Sequence, residues 1–413
     1  MGNPFSRMYT ALVAPPTVEK DTKGAIRFGI LGAAGVAPLT LIGPAKSHRE
    51  VIIQAVAARD RTRAEAFAKK HGIPEVKDTY QEILDDPNID AVFIPLPNSL
   101  HFEWAVRSIR AGKHVLVEKP CVNTQAEAEY LFNLPELTTG PNPPVLLEAA
   151  HNRFHPSVHK FMSFVTPSDV AHVHTDSMVP ALATGRDGIH YNYAMGGGSL
   201  MMLGSYNVGM LQMIFGAEPE ECLSCETHTF GDGLHDRCDT DVTAKFRFPN
   251  GGVGEAFTTL QGSVFWKPSE ARVTHREVAV PGDDDSPLPA GHTKYRTRTV
   301  TLHGFMHAVA WHRIHVRDAY VIRNKDGGVV KQWEERSSHK AYSYKEAGSG
   351  FAPGQDQSWW MSYHHQLEAF VNRIKGRETR YWIDGQDSIN GMRMIDMAYE
   401  KSGLGLRPSS EFR

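Results

Sequence analysis

The chain has 413 residues, enough for two domains that each bury their own core. Hydrophobic residues make up 41% and charged residues 22%, with a formal net charge of −3, which favours neither disorder nor a nucleic-acid or anionic-membrane partner. No apolar run reaches the roughly 20 residues of a membrane helix, the N-terminus lacks a secretory layout, and four cysteines do not make a disulfide framework; a cytoplasmic globular enzyme is expected.

Residues 1–24 contain Pro and Lys without sustained periodicity and read as a leader arm. Its first six residues, Met1-Gly2-Asn3-Pro4-Phe5-Ser6, fit the short N-myristoylation pattern, which also matches by chance. From residue 25, strand and helix alternate. Residues 26–31 are a short apolar strand, followed by a small-residue turn and a helix from about Val36, with Pro38 tolerated in its first turn. Residues 51–58 are a second continuous apolar strand, as expected when both sheet faces are covered. A helix over 61–71 ends at Gly72. Strands over 90–96, 114–118 and 145–149 then alternate with helices over 100–111 and from Asn123 or Thr124 to Phe132. The prediction for residues 25–150 is a doubly wound parallel α/β sheet of the Rossmann type.

After about residue 155 the texture changes. Gly196-Gly197-Gly198 precedes an apolar helix over 200–215. Strand-like runs follow at 242–248, 254–261, 273–280, 298–302 and 312–317, interrupted by polar insertions at 282–293 and 337–357. Helices over 363–375 and 387–402 close the chain. This pattern predicts an α+β substrate and dimerisation domain over 151–385 with a large, mostly antiparallel sheet, and a C-terminal helix and tail over 386–413.

The chemistry concentrates at strand ends. Gly32-Ala33-Ala34-Gly35-Val36-Ala37 lies between a strand and a helix. Its first glycine permits a tight turn, and the small residues after it let a pyrophosphate approach the helix N-terminus. At the end of the second strand, where NAD enzymes carry an acid for the ribose, the chain reads Ala57-Ala58-Arg59-Asp60. A small residue leaves room for a 2′-phosphate and Arg59 can pair with it, so NADP is expected over NAD. Leu96-Pro97-Asn98-Ser99-Leu100-His101 follows another strand on the same edge; Asn98 either touches cofactor or caps the next helix. Val117-Glu118-Lys119-Pro120 ends a buried strand at the crevice where ligands of open α/β sheets bind. Lys119 there either donates to a substrate oxygen or makes a structural ion pair.

Other motifs read as packing. Cys222, Cys225, His228 and Cys238 match no standard zinc spacing. His151, His155 and His159 lie four apart, but Pro156 breaks the helical register and no acidic or cysteine partner joins them, so no metal is expected. Trp311, Trp359 and Trp360 are either sugar-stacking faces or core anchors.

Together these residues resemble the glucose-fructose oxidoreductase / inositol dehydrogenase (Gfo/Idh/MocA) family. The carriers are 32–37, 97–101, Glu118-Lys119-Pro120, Glu148-Ala149 with Arg153-Phe154-His155-Pro156, the segment from Gly196 to Tyr206, and Gly403-Leu404. Within the family the chain is most similar to dimeric dihydrodiol dehydrogenases and NADP-dependent D-xylose dehydrogenases, through Ala55-Val56-Ala57-Ala58-Arg59-Asp60 and through Val300-Thr301-Leu302 followed by His312. The resemblance implies hydride exchange between a nicotinamide and a hydroxyl or carbonyl carbon of a sugar-like or cyclic molecule, and a homodimer. It implies Lys119 beside the reacting oxygen, Tyr206 as the proton-transfer group, and Arg153, His155, Met202 and Tyr206 near substrate. The family pattern G-G-G-x-L-x-D-x-G-x-[YH] departs at Met202, which replaces its aspartate and cannot accept a strong hydrogen bond. Two alternatives stay open: a biosynthetic enzyme that uses the cofactor without net redox, and a non-enzymatic dinucleotide-sensing regulator.

Overall fold

The computed structural model describes residues 4–185, 188–263, 267–282, 288–348 and 356–412. Met1, Gly2 and Asn3 of the N-terminal pattern, and the middle of both polar insertions, lie outside the described residues. Six strands make the first sheet: β1 (Ile26–Leu31), β2 (Val51–Ala57), β3 (Glu75–Lys77), β4 (Ala91–Ile94), β5 (His114–Val117) and β6 (Leu146–Glu148). Their order is β3-β2-β1-β4-β5-β6 and every pair is parallel, which is the Rossmann arrangement. β1, β2, β4 and β5 read as continuous apolar runs because helices cover both faces. The short β3 and the helix Tyr80–Asp85 escape the sequence reading; β3 holds only three half-buried residues, too few to show a period.

The second sheet has nine strands: β7 (Val170–Pro180), β8 (Glu221–His228), β9 (Asp241–Arg247), β10 (Val253–Gly262), β11 (Glu270–His275), β12 (Val278–Val280), β13 (Thr293–His303), β14 (Arg313–Arg323) and β15 (Val329–His339). They run β15-β14-β13-β11-β7-β10-β9-β8, with β12 beside β13. Among the described residues only β7 and β10 of this sheet pair in parallel. The sheet is therefore mostly antiparallel, as expected. The polar insertion expected to start at residue 337 starts later, because β15 runs to His339. That edge strand is exposed along nearly its whole length, so it carries no apolar alternation to read.

The helix Ser199–Phe215 lies across β7 and β10 and is buried almost all round, which accounts for its nearly unbroken apolar sequence. Leu200, Leu203, Val208 and Leu211 join one continuous core with Val92, Val115 and Val117 of the first sheet and Val173, Ala256 and Val300 of the second. On the other face of the first sheet, Phe28 and Ile30 pack with Leu367, Phe370 and Val371 of the helix Ser362–Ile374. A segment far along the chain thus completes the core of the dinucleotide-binding fold.

From Pro4 on, the leader arm is anchored against the rest of the chain. Residues Pro4–Met8 form a helical turn that widens through Tyr9–Val13, with the Ala14 amide donating to the Tyr9 carbonyl. Arg7 is buried with its guanidinium 3.7 Å from the Tyr342 ring centroid, and Ala11 packs with Val309, Met361 and Tyr363. An anchor that uses a cation–π contact leaves no apolar stripe in the sequence.

Candidate active site

The loops after β1, β4 and β5 form one wall of a cleft of about 320 Å³, and the opposite wall comes from the second domain. The first wall contributes Ala34, Gly35, Val36, Leu96, Pro97, Asn98, His101, Glu118 and Lys119. The second contributes Ile189, His190, Met195, Met202, Tyr206 and Tyr363.

The dinucleotide loop leaves β1 at Gly32, whose φ of 111° is open to glycine, and a Cβ there would press to 3.0 Å against the Leu96 side chain. A Cβ added at Gly35 meets no atom within 4 Å, and Gly35 and Val36 are exposed, so the loop backbone is open to a phosphate group. Ala33 and Ala37 are buried under it. Arg59 is exposed at the end of β2. Asp60 caps the helix Arg61–His71 by accepting from the Arg63 amide at 3.1 Å. Arg63, which the sequence reading did not single out, donates to the Ala33 carbonyl at 3.0 Å.

Asn98 caps no helix. Its Nδ2 donates to the Gly196 carbonyl at 2.9 Å and ties the first wall to the second. Gly196 is the residue that allows this approach: its φ is 73°, and a Cβ there would fall 2.3 Å from Asn123 Oδ1. His101 is fully buried, with its two ring nitrogens each 2.8 Å from a carbonyl oxygen, of Pro120 and of Leu96. It fastens the β4 and β5 loops together.

Lys119 reaches across the cleft. Its Nζ donates to the Met202 carbonyl at 2.7 Å and sits 4.7 Å from the Tyr206 ring centroid. Burial lowers its ammonium from the ordinary value, against the pull of Glu118 and Glu148. Burial pushes the neighbouring Glu118 carboxyl up to about 7, with the charge of Lys119 opposing. Tyr206 is buried, and its hydroxyl lies 2.8 Å from His151 Nε2. His151 Nδ1 in turn lies 2.7 Å from Ser362 Oγ. Burial raises the Tyr206 phenol well above its usual range, followed by Tyr363 and Glu118. At this cleft a dinucleotide-cradling loop faces a paired lysine and tyrosine.

Sequence comparison identifies the family of the two domains. Residues 26–138 match the model of an oxidoreductase family with an NAD-binding Rossmann fold, and residues 168–274 match the Gfo/Idh/MocA C-terminal domain. The chain belongs to the Gfo/Idh/MocA family of oxidoreductases. A D-xylose 1-dehydrogenase (NADP+) from Haloferax volcanii is 28% identical over 92% of this chain and 98% of its own length. The trans-1,2-dihydrobenzene-1,2-diol dehydrogenase of Mus musculus is 31% identical over 57% of this chain and 68% of its own. A 3-ketoreductase from Actinomadura kijaniata, crystallised with NADP and TDP-benzene, superposes with a TM-score of 0.66 at 20% identity, covering 91% of this chain and 98% of that one.

Two residues expected near substrate sit elsewhere. Arg153 donates to the Tyr381 hydroxyl at 2.8 Å and pairs with Asp387 at 2.9 Å, away from the cleft lining. His155 is fully buried, and its Nδ1 accepts from the Ser157 amide as a helix cap. Arg153 finds its partners in segments that spacing along the chain does not reveal, whereas His155 is committed to capping the helix that begins at Pro156. His159 packs against Tyr344 and Tyr381. Trp359 and Trp360 pack on His364, and Trp311 lies near His303, all outside the cleft lining. Cys222 and Cys225 lie on β8, with thiols pushed by burial up to about 11 and about 12. The sequence leaves unmarked Ile189, His190, Met195 and Tyr363 of the cleft lining. His151, behind Tyr206, stands out in the sequence for its histidine spacing alone.

Proposed function

We propose that this oxidoreductase is NADP-dependent and moves a hydride between the nicotinamide and a hydroxyl or carbonyl carbon of a sugar-like or cyclic small molecule. The observation that carries this reading is the pairing of Lys119 and Tyr206 across the cleft, with Nζ 4.7 Å from the phenol ring, beside the open loop at Gly35. The dinucleotide supplies the hydride when bound. The chain's own contribution is to hold a proton at Tyr206 Oη and a positive charge at Lys119 Nζ, where charge develops on the reacting oxygen.

NADP is favoured by the groups at the end of β2. Asp60 is committed to its helix cap, so it is not a free ribose ligand, while Arg59 is exposed and Arg63 stands beside the loop. Ala33, Ala34, Ala37, Leu96 and Pro97 shape the pocket around the cofactor. The relative named as an NADP+ D-xylose dehydrogenase supports the cofactor, and together with the one named for dihydrodiol oxidation it supports the substrate class. With Met202, Met195 and Ile189 in its lining, the substrate side suits a less hydroxylated molecule than a free pentose. The exposed edge strand β15 supports a homodimer formed through the second sheet.

The test is NADP(H) absorbance with D-xylose, D-glucose, trans-cyclohexane-1,2-diol and cyclohexane-1,2-dione, for wild type and Lys119→Met. Turnover of at least one compound is expected in wild type, with loss of about a hundredfold or more in the variant while dinucleotide binding persists. Unchanged turnover in Lys119→Met refutes the assigned role.

A further inference from the structure

Tyr206 Oη has a neighbour that the family pattern does not supply. His151 comes from the turn His151–Phe154 after β6, and its Nε2 lies 2.8 Å from Oη. On its other side Nδ1 lies 2.7 Å from Ser362 Oγ, at the first residue of the helix Ser362–Ile374. The imidazole is 1% exposed. Around it stand Tyr363, with ring centroids 4.0 Å apart, His307 stacked at 6.0 Å, and Lys119. Burial first, then the nearness of His307 and Lys119, holds this imidazole well below its ordinary value, so it is neutral and carries one N–H. Meanwhile Met202 faces the cleft with no side-chain donor or strong acceptor, and its carbonyl is taken by Lys119.

We propose that His151 is the positioning residue of Tyr206: its Nε2–H donates to Tyr206 Oη, and the Ser362 hydroxyl donates to Nδ1 and fixes that tautomer. The inference rests on the oxidoreductase reading above. With Oη accepting from His151, the tyrosine's own hydrogen is free to point into the cleft at a substrate oxygen. In the reductive direction the carbonyl π bond opens and the carbon gains a hydride from the reduced nicotinamide dinucleotide. The Tyr206 O–H bond breaks and the product O–H forms. The phenolate left behind is held by Nε2–H and by Lys119; oxidation of the alcohol reverses each bond change. This histidine does at Oη what a carboxylate at position 202 cannot do in this chain.

Two readouts test it. In protein labelled with ¹⁵N-histidine, long-range ¹H–¹⁵N correlation, assigned by the signal lost in His151→Gln, should show the Nε2–H tautomer for His151. Ser362→Ala should move it to a tautomer mixture. An Nδ1–H tautomer in wild type overturns the proposal. In turnover with whichever of the four compounds reacts, His151→Met should lower kcat about 10²–10³-fold with KM within about threefold, the scale of lost acid–base assistance. His151→Gln, which keeps an N–H donor, should recover to within about tenfold of wild type. Equal losses in both variants, or a change confined to KM, overturn the proposal. If none of the four compounds reacts with wild type, the oxidoreductase reading fails on that panel, and the tautomers of wild type and Ser362→Ala decide the role of His151 alone.

Discussion

Arg59 shows how one side chain can set cofactor choice. It is exposed at the end of β2, beside the buried Ala57 and Ala58, and the adjacent acid, Asp60, is spent on the cap of the following helix. A guanidinium free to pair with a 2′-phosphate gains a charge-assisted hydrogen bond worth about 1.5–3 kcal/mol, or roughly ten- to a hundredfold in affinity. Arg59→Ala should therefore weaken NADPH binding by that factor and leave NADH nearly unchanged. Fluorescence titration of both dinucleotides checks this, and equal affinities in wild type would refute it. The residues legible in the sequence share a property: Gly32, Arg59, Lys119 and Tyr206 each sit in a short contiguous motif next to a strand or helix whose period is clear. His151 and Tyr363 were illegible as site residues because His151 meets Tyr206 behind the cleft lining and Tyr363 enters that lining from a segment some 210 residues away, and only the folded chain brings the two together. Arg153 misled for the converse reason: its motif is contiguous, yet Asp387 and Tyr381 draw its guanidinium away.

At the scale of elements, the helix Ser199–Phe215 carries Met202 and Tyr206, so its first turn must be held firmly. Gly198 before it has φ 125° and no side chain to cap it. The cap comes from Asp239, ahead of β9, whose Oδ2 accepts from the Leu200 amide at 2.7 Å and from Ser199 Oγ at 2.8 Å. Asp239 is in turn paired with Arg407 at 2.6 Å, and both side chains are fully buried. Arg407 also donates to the Gly197 carbonyl and stacks over Tyr399. Removing one partner of a buried pair strands the other charge, at a cost of about 3–5 kcal/mol. Arg407→Met should lower the urea midpoint accordingly; a midpoint within error of wild type would refute this. The extent of the helix was legible from its apolar run. Its cap was not, because residue 239 lies 40 positions away along the chain, where no spacing rule applies. The exposed β15 was hidden for a different reason, since solvent on both faces removes the alternation that marks a strand.

The whole molecule presents an exposed edge strand, β15, and an unusual interior. Along the edge, Val329 and Val330 are 60% and 56% exposed, which a second copy would cover. Light scattering at micromolar concentration should report a dimer, and a monomer at every concentration would refute the association. The interior is rich in histidine. Burial pushes His101, His159 and His312 down to about 4 and His364 to about 3, and holds His151, His155 and His365 well below the ordinary value. In the unfolded chain each titrates near 6.5, so between about pH 6.5 and 4 the unfolded state binds protons that the folded state refuses. Stability from these groups is complete above pH 6.5 and falls as pH drops, by about 1.4 kcal/mol per pH unit for each net proton. Glu118 and Asp396 act in the opposite sense: burial pushes each up to about 7, so the folded state holds their protons where the unfolded state has released them. Seven histidines outweigh these two carboxyls and Glu148, which burial also raises. Tm should therefore fall steeply between pH 6.5 and 5, with net proton uptake on unfolding in that window. A Tm that is level or rises over the same interval would show that these histidines are already charged in the native state.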